Sequence, residues 1–230
     1  AKMPRALMKY WRFRYGLFSR WEEGIVADDE GLFSITPERI ALQQALRMGW
    51  HDMVAVDLFG GVGGNVIALA RMGFRVYSVD MSAVRCAALK HNCRVYGVAD
   101  RVTVVQRDVV ELLSVPEDDT TPGGGADPMR LATRLGLDVP PFIFMSPPWG
   151  GPDYISATSF NIAEGLALRG DDGAIRLAGD QVLKRSLAQA IGLMAFIPRN
   201  TTVEALNALD MGPCLLEHSH IDGRVKGLSV

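Results

Sequence analysis

The stretch Asp57-Leu-Phe-Gly-Gly-Val-Gly-Gly-Asn65 decides how this chain is read, because it joins an apolar run at residues 54–59 to an amphipathic run at 65–72. The first run reads as a short strand and the second as a helix closed by Gly73. Glycines at such a junction let the backbone pass close to a bound ligand, and the helix start offers unpaired amide N–H groups to a carboxylate or phosphate. A dinucleotide loop of this kind follows G-x-G-x-x-G/A, whereas here the third position after Gly61 and Gly63 is Val66. An acidic side chain at Asp57, just ahead of the glycines, instead suits a ligand that carries an ammonium group.

Outward from the loop, strand and helix patterns alternate. Residues 75–79 form a second apolar strand ending at Asp80, residues 82–96 a helix closed by Gly97, and residues 102–106 a third strand ending near Asp108. A fourth strand at 142–145 runs into Ser146-Pro147-Pro148-Trp149, and a fifth at 193–197 into Pro198-Arg199-Asn200. Upstream, Thr36 reads as a helix cap with Pro37 as the first helical residue, and that helix continues to Gly49. Apolar strands alternating with helices indicate an α/β fold with a parallel sheet covered on both faces. Ligands of such sheets gather at the carboxyl ends of the strands. Asp57, Asp80 and Asp108 stand at three successive strand ends. Asp80 is placed to accept both hydroxyls of a ribose, and Asp108 the amino group of an adenine. Singly, each is an ordinary turn residue. Together, beside the glycines, they point to a nucleotide-type cofactor, S-adenosylmethionine ahead of a nicotinamide dinucleotide.

The chain has 230 residues, 48% of them hydrophobic and 22% charged, with a formal net charge of -2. That length suits one full domain plus an appendage, and the near-neutral charge excludes a protein that coats nucleic acid by bulk charge. No apolar run reaches the ~18 residues of a membrane span, and the first residues lack the order of a signal peptide. A soluble, intracellular protein is expected. Cys86, Cys93 and Cys214 have no C-x-x-C spacing and are expected to be small buried hydrophobes. His218 and His220 alternate, but without a thiol or carboxylate cluster nearby they read as polar positions on a late strand, and no metal is expected.

Residues 1–21 carry six basic side chains (Lys2, Arg5, Lys9, Arg12, Arg14 and Arg20) and no acid, interleaved with Tyr10, Trp11, Phe13, Tyr15, Phe18 and Trp21. Basic and aromatic residues so mixed suit phosphates and bases. An amphipathic helix that buries its aromatics and turns its arginines to water fits at least as well, and different faces of one helix can do both jobs. Residues 116–141, with Glu117-Asp118-Asp119 and Gly123-Gly124-Gly125, read as a flexible surface insertion in which 129–137 forms a short helix. Lys226-Gly-Leu-Ser-Val230 reads as the start of a strand, so further sequence is expected beyond it.

The second chemical constellation is Ser146-Pro147-Pro148-Trp149, followed by Gly150-Gly151-Pro152-Asp153-Tyr154. Two prolines after an apolar strand cannot continue its ladder and hold a rigid turn with a free carbonyl. Alone, Pro-Pro-Trp would pass for a proline turn with a buried Trp. The stretch resembles the Asn/Asp-Pro-Pro-aromatic motif of S-adenosylmethionine-dependent methyltransferases that act on planar amines. The resemblance implies that the first side chain and a proline carbonyl accept hydrogen bonds from the amine while the aromatic stacks on the base. Ser146 stands where Asn or Asp is usual; its hydroxyl still accepts a hydrogen bond but makes a poor general base.

Outside the insertion, nearly the whole chain resembles the trimethylguanosine synthase family. The matching segments are Lys9-Tyr10-Trp11 with Arg14-Tyr15 and Leu17-Phe18-Ser19-Arg20, then Glu30-Gly31 and Phe33-Ser34 with Thr36-Pro37-Glu38. Asp57 with Gly61-Val62-Gly63-Gly64-Asn65 follows, then Ser146 through Tyr154, and Pro198-Arg199-Asn200. The N-terminal block and the stretch from Ser146 are specific to this family; the glycine loop is shared with many methyltransferases. Gly60 departs from the Cys of relatives, and a smaller residue is expected to be tolerated there.

The resemblance implies a Rossmann-like class I S-adenosylmethionine-dependent methyltransferase domain at 37–230, with a small N-terminal helical extension at 1–36 that contributes to a cap pocket. It implies that the 7-methylguanosine cap of small nuclear and nucleolar RNAs receives two methyl groups in turn on its exocyclic 2-amino nitrogen. The enzyme would be a nuclear and nucleolar monomer, with the cytoplasm as a further location, and would need no metal. By the same resemblance Trp149 stacks on the base, Ser146 and Pro147 hold the amine, and Lys9 and Arg199 contact the cap phosphates. Ser34, Pro148 and Asn200 complete the substrate site. Glu30, Phe33, Thr36, Asp57, Gly61, Gly63, Asn65, Asp80, Asp108 and Ser146 line the donor side. Stacking of a cationic N7-methylated purine on indole gains a cation–π term of about 0.5–2 kcal/mol, enough to discriminate a methylated cap from plain guanosine. Two other readings stay open on these residues: an amine methyltransferase of the same fold acting on ribosomal guanine, adenine or glutamine, and a cap-binding scaffold without turnover.

Overall fold

The computed structural model of the chain describes residues 4–49, 52–115, 127–149 and 157–230. It divides into two compact units, Ala1–Asp108 and Val109–Val230.

The first unit opens with short turns rather than one amphipathic helix: a 3-10 turn at Arg5–Leu7, α1 at Met8–Arg12, α2 at Arg14–Leu17 and a second 3-10 turn at Trp21–Glu23. The helix breaks at Phe13, whose ring folds back into the space that a Cβ on Gly16 would fill. Leu17 and Phe18 are buried, but Trp11, Phe13 and Tyr15 stay at the surface. The Arg14 guanidinium stacks over the Trp11 and Tyr15 rings at 4.7 and 4.3 Å. Arg5, Arg12 and Arg20 turn outward and Phe18 is buried as expected, whereas Trp11, Phe13 and Tyr15 are not covered and cation–π pairing draws Arg14 against the Trp11 and Tyr15 rings.

Next come α3 (Asp29–Ser34) and α4 (Glu38–Met48). Asp28 caps α3 by accepting from the Gly31 N–H at 2.8 Å. Thr36 does not cap α4: Pro37 has an extended ψ of 135°, takes the cap position itself without a side-chain bond, and delays the helix by one residue. The predicted alternation then holds, with β1 (Val54–Asp57), α5 (Gly64–Arg71), β2 (Arg75–Asp80), α6 (Ala83–Val95) and β3 (Val102–Gln106). These strands run parallel, in the register Asp57↔Ser78 and Asp80↔Gln106, which aligns the strand ends carrying the acids. Every residue of β1 is buried, as a central parallel strand requires. Ser82 starts α6 by accepting from the Arg85 N–H.

The second unit contains α7 (Val109–Leu112), α8 (Met129–Leu135), β4 (Phe142–Met145), α9 (Ile162–Gly165), β5 (Leu168–Arg169), β6 (Ile175–Leu177), α10 (Gly179–Ala188), β7 (Gly192–Ile197), α11 (Val203–Asn207), β8 (Glu217–Ile221) and β9 (Arg224–Ser229). β4 and β7 are parallel, β5 and β6 form a small hairpin, and β9 is antiparallel to both β7 and β8. The main sheet has seven strands in the order β3-β2-β1-β4-β7-β9-β8, mostly parallel, in a Rossmann-like class I arrangement. Lys226 to Ser229 is the later part of β9, not the start of a strand. β8 turns into β9 through Asp222 and Gly223, with φ of 49° and 72°, the left-handed pair that closes a tight hairpin.

Half of the expected insertion is built into this unit. Leu131 and Ala132 on α8 are fully buried, and the Arg134 guanidinium donates to the carbonyls of Glu111, Leu112 and Ser114. The acidic and glycine runs at 116–126 lie outside the described residues. Cys86 and Cys93 are buried as expected, but Cys214 is exposed, because it falls in irregular chain ahead of β8. His218 and His220 lie exposed on β8. Among the described residues no cluster of His, Cys, Asp or Glu could hold a metal ion, and no helix is long and apolar enough to cross a membrane.

Candidate active site

In the first unit, the glycine loop is shaped by the two acids that end β1 and β2. Asp57 is 1% exposed and accepts from the Phe59 N–H at 3.0 Å. Burial pushes its carboxyl up to about 7; the Phe59 bond opposes this and the charge of Asp80 adds to it. A ligand ammonium beside Asp57 would supply the counter-charge that favours its ionised form. Asp80 accepts from the Gly61 N–H at 3.0 Å with one oxygen and from the Ser82 N–H at 2.8 Å with the other. It thus fixes the loop and the start of α6 at once. Gly61 and Gly63 have φ of 52° and 107°, where a side chain is strained. Beyond its chain neighbours, a Cβ on Gly61 would meet only the Phe59 carbonyl, at 4.0 Å, so that face of the loop is open. An open face with two acids beside it fits the sugar and amino-acid ends of S-adenosylmethionine. Gly60 is explained locally: the Ser78 hydroxyl, fully buried on β2, fills the room a Cβ would need.

The other residues expected on the donor side lie on α3, on the approach to α4, on α5 and just past β3. Thr36 is buried, its backbone crossing so close to Gly64 that a Cβ there would lie 3.4 Å from the Thr36 carbonyl oxygen. The Asn65 amide donates at 2.7 Å to Gln44, fastening α5 to α4. Glu30 forms a two-pronged ion pair with Arg85 of α6, both bonds at 3.0 Å. Asp108 is half-buried just beyond β3. Phe33 is exposed and edge-on to Tyr10 with ring centroids 5.4 Å apart, and the Lys9 ammonium lies 4.7 Å over the Tyr10 ring. The Ser34 hydroxyl donates to the Glu30 carbonyl at 2.9 Å.

Two residues that sequence alone did not single out adjoin these in the chain. Met81, directly after Asp80, leaves an apolar side chain 66% exposed; an apolar residue in a polar strand-end turn was the available signal. Glu38 accepts from the Ser19 backbone and hydroxyl, Tyr96 and Arg71. Burial works to raise its carboxyl, but these bonds together hold it below the usual carboxylate range.

The second unit carries the turn after β4. Ser146 is half-buried, Pro147 buried, Pro148 exposed and Trp149 half-buried. The Trp149 indole N–H donates to the Phe196 carbonyl of β7 at 3.2 Å, and the two rings pack with centroids 5.4 Å apart. Phe196 lies over Gly227 of β9, where a Cβ would stand 2.6 Å from its ring tip. Just past β7, Arg199 donates to the Val225 carbonyl at 3.4 Å and the Asn200 amide to the Ala157 carbonyl at 3.0 Å. Trp149, Arg199 and Asn200 are thus all attached around the end of β7. Gly150 to Tyr154 lie outside the described residues.

A family model described as RNA cap guanine-N2 methyltransferase matches residues 52–228. The chain belongs to that family. It is 33% identical over 211 residues to the trimethylguanosine synthase of Schizosaccharomyces pombe, covering 90% of this chain and 76% of that protein. With the trimethylguanosine synthase of Saccharomyces cerevisiae it shares 29% identity over 232 residues, 96% of this chain and 66% of the relative. Among solved structures, a SAM-dependent methyltransferase from Agrobacterium tumefaciens shares the fold with a TM-score of 0.52 at 16% identity, over 85% of this chain and 61% of that one. As a cap guanine-N2 methyltransferase, the chain uses S-adenosylmethionine as methyl donor and capped RNA as substrate.

Proposed function

We propose that this cap guanine-N2 methyltransferase converts 7-methylguanosine caps to 2,2,7-trimethylguanosine by two successive methylations of the exocyclic 2-amino group. Its substrates are small nuclear and nucleolar RNAs, met in the nucleus and nucleolus with a cytoplasmic pool, and it acts as a monomer without a metal. Residues 1–36 form an extension that contributes to the cap pocket of a methyltransferase domain at 37–230. The trimethylguanosine synthases that align with nearly the whole chain support the product assignment.

The observation that carries the reading is the Trp149 turn: an indole pinned by its N–H to β7, yet only half-buried, beside a rigid Pro147-Pro148 pair. The indole face stacks on the cationic base. The Ser146 hydroxyl and the Pro147 carbonyl accept from the 2-amino group, which fixes the nitrogen's direction. Lys9 and Arg199 neutralise cap phosphates, and Ser34, Pro148 and Asn200 border the nucleotide. On the donor side, Asp57 takes the ammonium and Asp80 the ribose hydroxyls, with Asp108 on the adenine amino group. Glu30, Phe33, Thr36, Gly61, Gly63 and Asn65 shape that half, and Ser146 borders it. When bound, S-adenosylmethionine supplies an electrophilic methyl group. The protein's contribution is positioning, which can be worth about 7–11 kcal/mol. Ser146 is no effective base, so the amine proton leaves to water.

Mass analysis of the nucleoside released from 7-methylguanosine-capped RNA after incubation with donor tests the product. Two added methyl groups on the base are expected; a product that stops at one, or carries methyl groups elsewhere, overturns the assignment.

A further inference from the structure

Asn92 lies within α6 and is fully buried. A carboxamide so placed must find partners for its donors and its acceptor, because an unmet polar group in the core is costly. Its nitrogen donates to the Val62 carbonyl at 2.8 Å and to the Val26 carbonyl at 2.8 Å, and its oxygen accepts from the Val26 N–H at 2.9 Å. The opposite amide orientation would set its oxygen against two carbonyls, so this assignment is the one the surroundings allow. Val62 stands between the left-handed Gly61 and Gly63 in the donor loop. Val26 lies two residues before Asp28, the cap of α3, and α3 carries Glu30, Phe33 and Ser34. One side chain therefore ties the backbone of the N-terminal segment to the backbone of the donor loop.

Other contacts reinforce the tie. A Cβ on Gly31 would stand 2.6 Å from Val62, so α3 rests directly on the loop. Along α6, His91 pairs with the Gly24 carbonyl at 2.8 Å, and the Val95 carbonyl accepts from Arg20 at 3.0 Å. The segment before α3 is thus strung along α6, and Asn92 is where that line meets the donor loop.

We propose that Asn92 is a positioning residue that couples donor binding to the seating of residues 25–34. The proposal rests on reading loop 58–64 as the donor site. A donor that stabilises the loop stabilises the Asn92 bonds, and by reciprocity a seated segment strengthens donor binding.

Hydrogen exchange of the full chain with and without S-adenosylhomocysteine, alongside titration of that ligand, tests the coupling. In the wild type the ligand is expected to slow exchange both at 58–64 and at 25–34, including the Val26 amide. Asn92→Ala is expected to bind about tenfold more weakly and to keep ligand-induced protection only at 58–64. A purely structural Asn92 would lower the melting temperature yet leave protection at 25–34 intact, and that result overturns the proposal. So does a wild type protected at the loop alone. Absence of protection at 58–64 in the wild type overturns the donor-site reading, and the proposal with it. Should Asn92→Ala not fold, Gly31→Ala presses α3 off both Val62 and its Asp28 cap while keeping Asn92. A loss of about threefold in affinity with weaker protection at 25–34 supports the coupling, and unchanged values contradict it.

Discussion

In the proposed site, recognition at the glycine loop is carried by two acid side chains and the backbone they hold in place. Two buried or half-buried acids, left-handed glycines and the N–H groups of Phe59, Gly61 and Ser82 fix one another. At the turn after β4 it is carried by side chains: prolines set the course of the chain and a single indole, held by one hydrogen bond to β7, offers its face. A loop that works through shape binds a donor common to many methyltransferases and tolerates little change in any member. A turn that works through one aromatic concentrates substrate choice in that residue. Breaking each region should therefore produce a distinct kind of loss.

The sharpest separation is expected from Trp149→Ala. It should abolish detectable binding of 7-methylguanosine nucleotides, a loss of at least about 100-fold on the scale of buried aromatic anchors, with donor binding nearly intact. Fluorescence titration of both ligands checks this, and cap affinity that survives removes Trp149 from its role. The reverse loss is expected from Asp80→Ala: donor affinity falls by about 10- to 100-fold, since hydrogen bonds to a charged group and the loop's own anchor both go, while cap affinity changes little. Equal losses of both ligands would mean that the two regions are not separable.

A smaller effect probes the loop's packing. Gly60→Ala collides with the Ser78 hydroxyl and should cost about 1–3 kcal/mol of stability. Adding Ser78→Ala should recover most of it in thermal or urea unfolding, and no recovery would show that Gly60 is required for another reason.

The smallest effect is in pH. Because the folded-state pKa of Asp57 is raised by burial to about 7, the stabilisation it provides is fully present below the ordinary Asp range and is lost as pH rises through about 7. The ionised form is the one that attracts an ammonium, so affinity for S-adenosylhomocysteine should rise by about threefold between about pH 6 and pH 8. Asp57→Asn should flatten that rise. Glu38, held low, contributes in the opposite sense, its stabilisation being lost as pH falls below the usual glutamate range.

The same contrast explains how much could be read from residues alone. Strands β1 to β4 and β7 lie within a residue or two of their predicted bounds, because apolar runs end at Asp, Gly or Pro, which act as punctuation. The glycine loop and the acids that end β1 and β2 were legible for the same reason, being consecutive or at strand ends. What escaped depends on distant partners. Asn92, in the last turn of α6, falls on the buried stripe with Leu89 and Cys93, but periodicity does not say what a polar residue there bonds, and its partners are 66 and 30 residues away. The broken N-terminal helix follows from Phe13 folding over Gly16, and the packing of α8 from Leu131 finding a core. The Asp222-Gly223 turn was a readable hairpin signal that the reading passed over.

The central claim, that the enzyme selects an already methylated cap and adds to its 2-amino group, is tested most directly by methyl transfer from labelled S-adenosylmethionine. RNAs that differ only in cap N7-methylation should be compared at equal concentration. The account predicts efficient transfer to the 7-methylguanosine cap and transfer about 2- to 30-fold slower to the unmethylated cap, which lacks the cation–π partner for Trp149. Equal rates on the two caps would contradict it.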